Sequence, residues 1–278
     1  MHDAKQIQSG FVETNGTRLY YEMMGEGHPL VLLHGGYMDR RMWDGQFATF
    51  AQYYQVIRYD IRGFGKSELP QVAYSDRQDL YDLLTHLGIE KAYLLGLSLG
   101  GGIALDFTLE HPERVDGLVL VGSNVTGAPI PQIFTQEEIQ VLIGQQHPMQ
   151  EAIRTRNVSA MLDAVMNHPT LVPPEKYPLA RQKVRENLSE YSFVWVLNPA
   201  PRQELEPPAW GRLREIAVPT LLVLGGDDSF LLHRYADRLE REIAGAKRVT
   251  IPGTHHMPNM EKPEEFNRIV LDFLKTLT

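Results

Sequence analysis

The chain has 278 residues, 43% of them hydrophobic and 22% charged, with a formal charge of −8 and no cysteine. That length is ample for a buried core, in one large domain or two small ones. The acidic balance argues against a nucleic-acid partner, and the missing thiols exclude disulfide frameworks, thiolate nucleophiles and Cys-ligated metals. The stretch Met1 to Gly10 is polar, with no signal-peptide core, and no apolar run approaches the length of a membrane span. A cytoplasmic protein with no membrane partner is expected.

Phe11 to Thr14 and Thr17 to Met24, separated by Asn15-Gly16, read as an antiparallel hairpin. Pro29 to Leu33 reads as a buried strand running into His34-Gly35-Gly36, Arg41 to Ala51 as a helix, and Tyr54 to Tyr59 as the next strand. Asp76 to Leu87 carries apolar residues at helical spacing and stops at Gly88. Ala92 to Leu95 is an apolar strand leading into Gly96-Leu97-Ser98-Leu99-Gly100 and a helix that Pro112 ends after His111. Val115 to Val121 is a further strand. Alternating short strands and helices imply βαβ units and a parallel sheet covered on both faces.

The alternation breaks after Gly122. Residues 125–214 are helical, irregular and rich in proline, punctuated by Phe134, Leu142, Met161 and Phe193. They read as a helical lid (125–214) inserted between two parts of the core, 1–124 and 215–278. The core pattern resumes with a strand at Pro219 to Leu224, a helix at Leu231 to Ile243, a strand at Lys247 to Ile251 and a closing helix at Glu264 to Leu277.

Gly96-x-Ser98-x-Gly100, between a strand and a helix, has the form of a nucleophile elbow. A Cβ at either flanking glycine would collide with the neighbouring strand or helix, and the helix N-terminus favours negative charge beside the serine. A serine hydroxyl needs a base to take its proton, an imidazole suits that task near neutral pH, and a carboxylate must hold the imidazole in the right tautomer. In a parallel sheet such groups come from loops after the carboxyl ends of strands. Two late loops qualify: Gly225-Gly226-Asp227-Asp228 supplies the carboxylate and Thr254-His255-His256 the imidazole. By the residues alone, Asp227 or Asp228 can be the acid and His255 or His256 the base. No third ligand accompanies the paired histidines, so no metal is expected. The seven histidines other than His34, His255 and His256, with His168 among them, read as surface residues or helix caps.

These motifs resemble the α/β-hydrolase superfamily, of the lid-bearing carboxylesterase and 3-oxoadipate enol-lactonase type. The implied fold is α/β, a mostly parallel eight-stranded sheet flanked by helices with a helical lid. In that resemblance the acid stands three residues beyond Gly225, at Asp228. Ile251-Pro252-Gly253-Thr254-His255-His256-Met257-Pro258-Asn259-Met260-Glu261-Lys262-Pro263 resembles the family's I-P-G-x-G-H-x-P-N-x-E-x-P, with the base at His256 and His255 where a glycine is usual. His34-Gly35-Gly36 resembles the H-G-x loop, which implies an oxyanion hole of the Gly36 and Leu99 amides. Asp60 and Arg62 match a segment that braces a loop, and the His34 side chain is likewise expected to be structural.

The resemblance implies a serine hydrolase that cleaves carboxylic esters through Ser98, His256 and Asp228, with no cofactor and a small-molecule ester or lactone as its partner. Tyr37 and residues of the insertion are expected to wall an apolar substrate pocket. A lactonase using the same three residues and a ligand-sensing receptor with slow turnover are the alternatives. Ser98 excludes the haloalkane dehalogenases and epoxide hydrolases, which carry Asp at the elbow. Carbon–carbon bond hydrolases of the diketone type resemble G-N-S-x-G-G with Trp after the base, whereas this chain has Leu97 and Met257.

Overall fold

The computed structural model describes residues 6–14, 16–69, 72–191, 193–197 and 202–277. One sheet of eight strands organises them, in the order β1-β2-β4-β3-β5-β6-β7-β8. β1 (Gln8–Thr14) and β2 (Thr17–Met24) form the expected hairpin, with its turn residue Asn15 outside the described residues. β2 also pairs antiparallel with β4 (Gln55–Tyr59). β3 (Pro29–Leu33), β5 (Ala92–Leu97), β6 (Val115–Val121), β7 (Thr220–Gly225) and β8 (Lys247–Ile251) complete a parallel array with β4.

β5 and β7 are buried end to end, and β3 except at Pro29. That is the state of parallel strands covered on both faces, and it explains their unbroken apolar sequences. α1 (Asp44–Phe50) packs on α11 (Pro263–Leu274), and α2 (Asp76–His86) on α3 (Leu99–Glu110). α3 is largely apolar, Asp106 and Thr108 aside, and buried from Leu99 to Leu109, as suits a helix wedged against the central strands. α9 (Phe230–Glu242) packs on β7 and β8.

Helices α4 (Ile130–Ile133), α5 (Gln136–Arg154), α6 (Val158–Met166), α7 (Pro178–Glu190) and α8 (Val194–Leu197) lie between β6 and β7. α5 opens with a reciprocal cap between Thr135 and Glu138, and the Asn157 side chain accepts from Ala160 N–H to start α6. This segment is tied to the core where Tyr177 Oη donates to Gly253 O at 3.0 Å and Arg234 pairs with Glu138 at 2.7 Å.

One element departs from expectation. The helix read over Arg41 to Ala51 is a 3₁₀ turn, Arg40–Trp43, followed by α1. The Asp39 carboxylate accepts from Arg41 N–H and grips the Arg41 guanidinium, which tightens the first turn. Among the described residues no helix is long and apolar enough to cross a membrane.

Candidate active site

The carboxyl ends of β3, β5, β6, β7 and β8 converge on one edge of the sheet. β5 runs to Leu97, and Ser98 follows at φ 53°, ψ −108° before α3 begins. A non-glycine residue there carries backbone strain of about 1–3 kcal/mol. The strain is held by neighbours: Ser98 N–H donates to Val121 O at 2.9 Å, while Ser98 O accepts from Gly102 and Asn124. A Cβ on Gly96 would lie 2.3 Å from Gly100 O, and one on Gly100 would lie 2.3 Å from Leu33 O. Both contacts are with backbone, which cannot swing aside, so the elbow closes only with glycine on each side of the serine.

Leu99 N–H is the first of α3 and has no acceptor within the helix. Among the described residues the Gly36 amide also donates to nothing in the protein. Gly36, Ser98 and Leu99 line one cavity of about 340 Å³, together with Tyr37, Asp228 and His256. A larger cavity of about 480 Å³ lies between α1, α7 and α10 (Pro258–Glu261) and contains none of these six residues.

The structure pairs Asp228 with His256, Nδ1 to Oδ2 at 3.1 Å, with both side chains buried. The other Asp228 oxygen accepts from Ser229 N–H at 2.7 Å. Asp227 points away, half-exposed and 3.7 Å from Lys176 Nζ. His255 lies beside Glu261 instead, its Nδ1 3.7 Å from Oε2. Glu261 braces the loop from behind by accepting the amides on either side of His256, from His255 at 2.8 Å and from Met257 at 3.2 Å. Among the described residues Ser98 and His256 share no hydrogen bond, a contact that catalytic pairs often complete only with substrate bound. Nor does any group of three or more His, Asp or Glu side chains come together there to hold a metal ion.

His34 is fully buried with both ring nitrogens engaged. Nε2 accepts from Ile61 N–H at 2.9 Å and Nδ1 faces Gly35 O at 2.8 Å. The ring therefore ties the end of β3 to the end of β4 and stays neutral, since burial lowers its pKa to about 4. Between about pH 6.5 and 4 the unfolded chain takes up a proton that the folded chain refuses, so stability falls with pH. The expected loss from this ring is about 3 kcal/mol between pH 7 and pH 4. Urea unfolding across that range checks it: His34→Asn, less stable at pH 7, is expected to show a shallower acid limb.

Asp60 and Arg62 also brace the scaffold. Asp60 holds the Arg40 guanidinium and accepts from the Arg40 and Lys66 amides, and Arg62 Nε donates to Asp79 at 2.8 Å.

Three features were not read from the sequence. Gly122, at φ +46°, faces the Asp228–His256 pair, and a Cβ there would lie 3.0 Å from His256 Nδ1 and 3.2 Å from Asp228 Oδ2. In the sequence Gly122 marks only the point where the strand–helix alternation breaks. Gly122→Ala is expected to lower kcat about 10–100-fold by displacing the ring, since misplacement of about 1 Å costs on that scale. Steady-state kinetics with a circular dichroism control measures it. Second, the cavity wall is partly polar, since Gln145, Gln146, His168 and Arg202 join Tyr37 and Leu142. Third, His168 is neither a surface residue nor a helix cap; it lies half-buried in this wall.

The strand order, the strained serine elbow and the buried histidine–carboxylate pair define a class of hydrolytic α/β protein. The alpha/beta hydrolase family model matches residues 30–269, and the chain belongs to that family. It is 34% identical over 271 residues to a 2-hydroxy-6-oxononadienedioate/2-hydroxy-6-oxononatrienedioate hydrolase of Paraburkholderia phymatum, spanning 92% of this chain and 91% of that one. A 2-hydroxy-6-oxo-6-phenylhexa-2,4-dienoate hydrolase of Comamonas testosteroni is 29% identical over the same length and coverage. Among solved structures, the enol-lactonase from Burkholderia xenovorans matches with a TM-score of 0.78 at 25% identity, covering 96% of this chain and 100% of that one.

Proposed function

We propose that the protein is a serine hydrolase of carboxylic esters or lactones, with Ser98 as nucleophile, His256 as base and Asp228 as its orienting acid. The observation that carries the reading is the 3.1 Å bond between His256 Nδ1 and Asp228 Oδ2, in a cavity shared with a strained Ser98. With Nδ1–H donated to the carboxylate, Nε2 is left to accept a proton. Ser98 Oγ forms a bond to the acyl carbon as His256 takes its proton. The Gly36 and Leu99 amides donate to the oxygen that becomes negative. His256 then gives the proton to the departing alkoxide, and the C–O bond breaks. Water, deprotonated by the same ring, attacks the acyl-enzyme and frees the acid and Ser98. No step calls for a cofactor.

The helical segment 125–214 acts in this reading as a lid, supplying Leu142, His168 and Leu171 to the cavity, with Tyr37 opposite as a substrate contact. A chain-length series of p-nitrophenyl esters run beside a lactone panel tests the reaction class. Multiple turnover of at least one series is expected; binding without turnover would favour the ligand-sensing alternative.

A second reading, hydrolysis of a 2-hydroxy-6-oxo-dienoate, is favoured by the names of the curated relatives. Leu97 and Met257 weigh against it. Both line the cavity, and both are apolar where the carbon–carbon bond hydrolases carry Asn and Trp. A dienoate substrate in the same panel separates the two readings, and ester or lactone turnover is expected to exceed it.

A further inference from the structure

We infer that His168 is a specificity-determining residue, a neutral imidazole that donates from Nε2 to an oxygen on the leaving portion of the substrate. The inference rests on the reading of Ser98 and His256 above and extends it to the kind of ester that is accepted.

His168 lies just after α6, in the loop that leads to α7. Its Nδ1 is an acceptor for two successive amides, Thr170 N–H at 3.4 Å and Leu171 N–H at 3.2 Å. A ring nitrogen that accepts carries no proton, so the neutral ring carries its hydrogen on Nε2. Protonating Nδ1 would break both contacts. Burial and the nearby His256 also hold the ring below the ordinary histidine range. Among the described residues Nε2 makes no hydrogen bond to the protein, although the ring lines the cavity. The one Lys or Arg among the described residues of that wall, Arg202, is already engaged by Asp76.

The same loop sets which end of the substrate the donor meets. Thr170 O, two residues on, accepts from His256 N–H at 3.3 Å. The His168 segment is therefore bonded to the loop that carries the proposed base. In ester cleavage that base delivers its proton to the departing oxygen. A donor beside it meets the leaving portion, and a leaving group with a second oxygen close to the ester, such as a ketone, can accept from it. A site built around such a donor disfavours the analogue that lacks the acceptor.

Two acetates of matched shape test this: 2-oxopropyl acetate, with a ketone beside the leaving oxygen, and 2-methylallyl acetate, with a C=CH₂ in its place. The readout is the ratio of their kcat/KM values divided by the ratio of their alkaline hydrolysis rates. For the native protein about a tenfold preference for the ketone is expected. In His168→Asn the side-chain oxygen can still accept from the two loop amides, while the Nε2 donor is gone. That variant is expected to lose the preference, its kcat/KM falling about tenfold further for the ketone than for the methallyl ester. His168→Gln, whose amide N–H can reach the Nε2 position, is expected to restore part of it. A native ratio equal to the alkaline one, an unchanged ratio in His168→Asn, or an equal fall with both esters would overturn the proposal. Failure of the native protein to turn over either acetate or any p-nitrophenyl ester would instead strike the ester reading itself.

Discussion

Ser98→Ala is expected to lower kcat/KM for every accepted ester by about 10⁴–10⁶-fold while leaving the fold intact. The hydroxyl is the only group at the elbow able to form the acyl bond. The methyl group that replaces it keeps the Cβ, so the turn at φ 53° loses no backbone contact. Gly102 and Asn124 donate to the main-chain oxygen of Ser98, and Val121 accepts from its amide, so the substitution leaves all three bonds in place. Unchanged thermal unfolding with lost turnover is therefore the expected pair of results. Retained turnover in a purified variant would remove Ser98 from the mechanism.

Asp228→Asn is expected to cost about 10⁴-fold in kcat with little change in substrate binding. In the proposed mechanism the carboxylate fixes His256 with its proton on Nδ1, which frees Nε2 to act as base. An amide can present its NH₂ to Nδ1 and so favour the opposite tautomer. Asn is nearly isosteric with Asp, and its side-chain oxygen can still accept from Ser229 N–H, so the loop after β7 keeps its form. Stopped-flow acylation separates the effect from binding. A fall in the acylation rate at unchanged KM is expected, and a loss that came only from a raised KM would contradict the role given to Asp228.

Much of the sheet was legible because its signals are local. β3, β5, β6 and β7 are short, largely apolar runs, and a glycine stands at or just after the carboxyl end of each. The elbow was legible for the same reason, since Gly96 and Gly100 answer to backbone contacts only a few residues away or at the adjacent strand. Local reasoning could not separate His255 from His256. The difference is tertiary: Glu261 occupies one side of the loop, and Asp228, from β7, meets only the ring of His256.

Gly122 and His168 were missed for a related reason. Gly122 ends an apolar strand, and nothing in its neighbours along the chain reports that two side chains from other loops pack against its Cα. His168 sits in a stretch of irregular helices where a lone histidine reads as surface. Its importance comes from amides two and three residues ahead and from a main-chain bond to a loop 86 positions later, between Thr170 and His256. The break at Arg40–Trp43 has a similar origin, in a carboxylate at Asp39 that competes for the first turn.

The most direct measurement is intact-protein mass spectrometry with peptide mapping after treatment with diethyl p-nitrophenyl phosphate. The account predicts one phosphoryl group per chain, carried by Ser98, and labelling that slows sharply in His256→Ala and Asp228→Asn. No adduct, or an adduct on any other side chain, would contradict it.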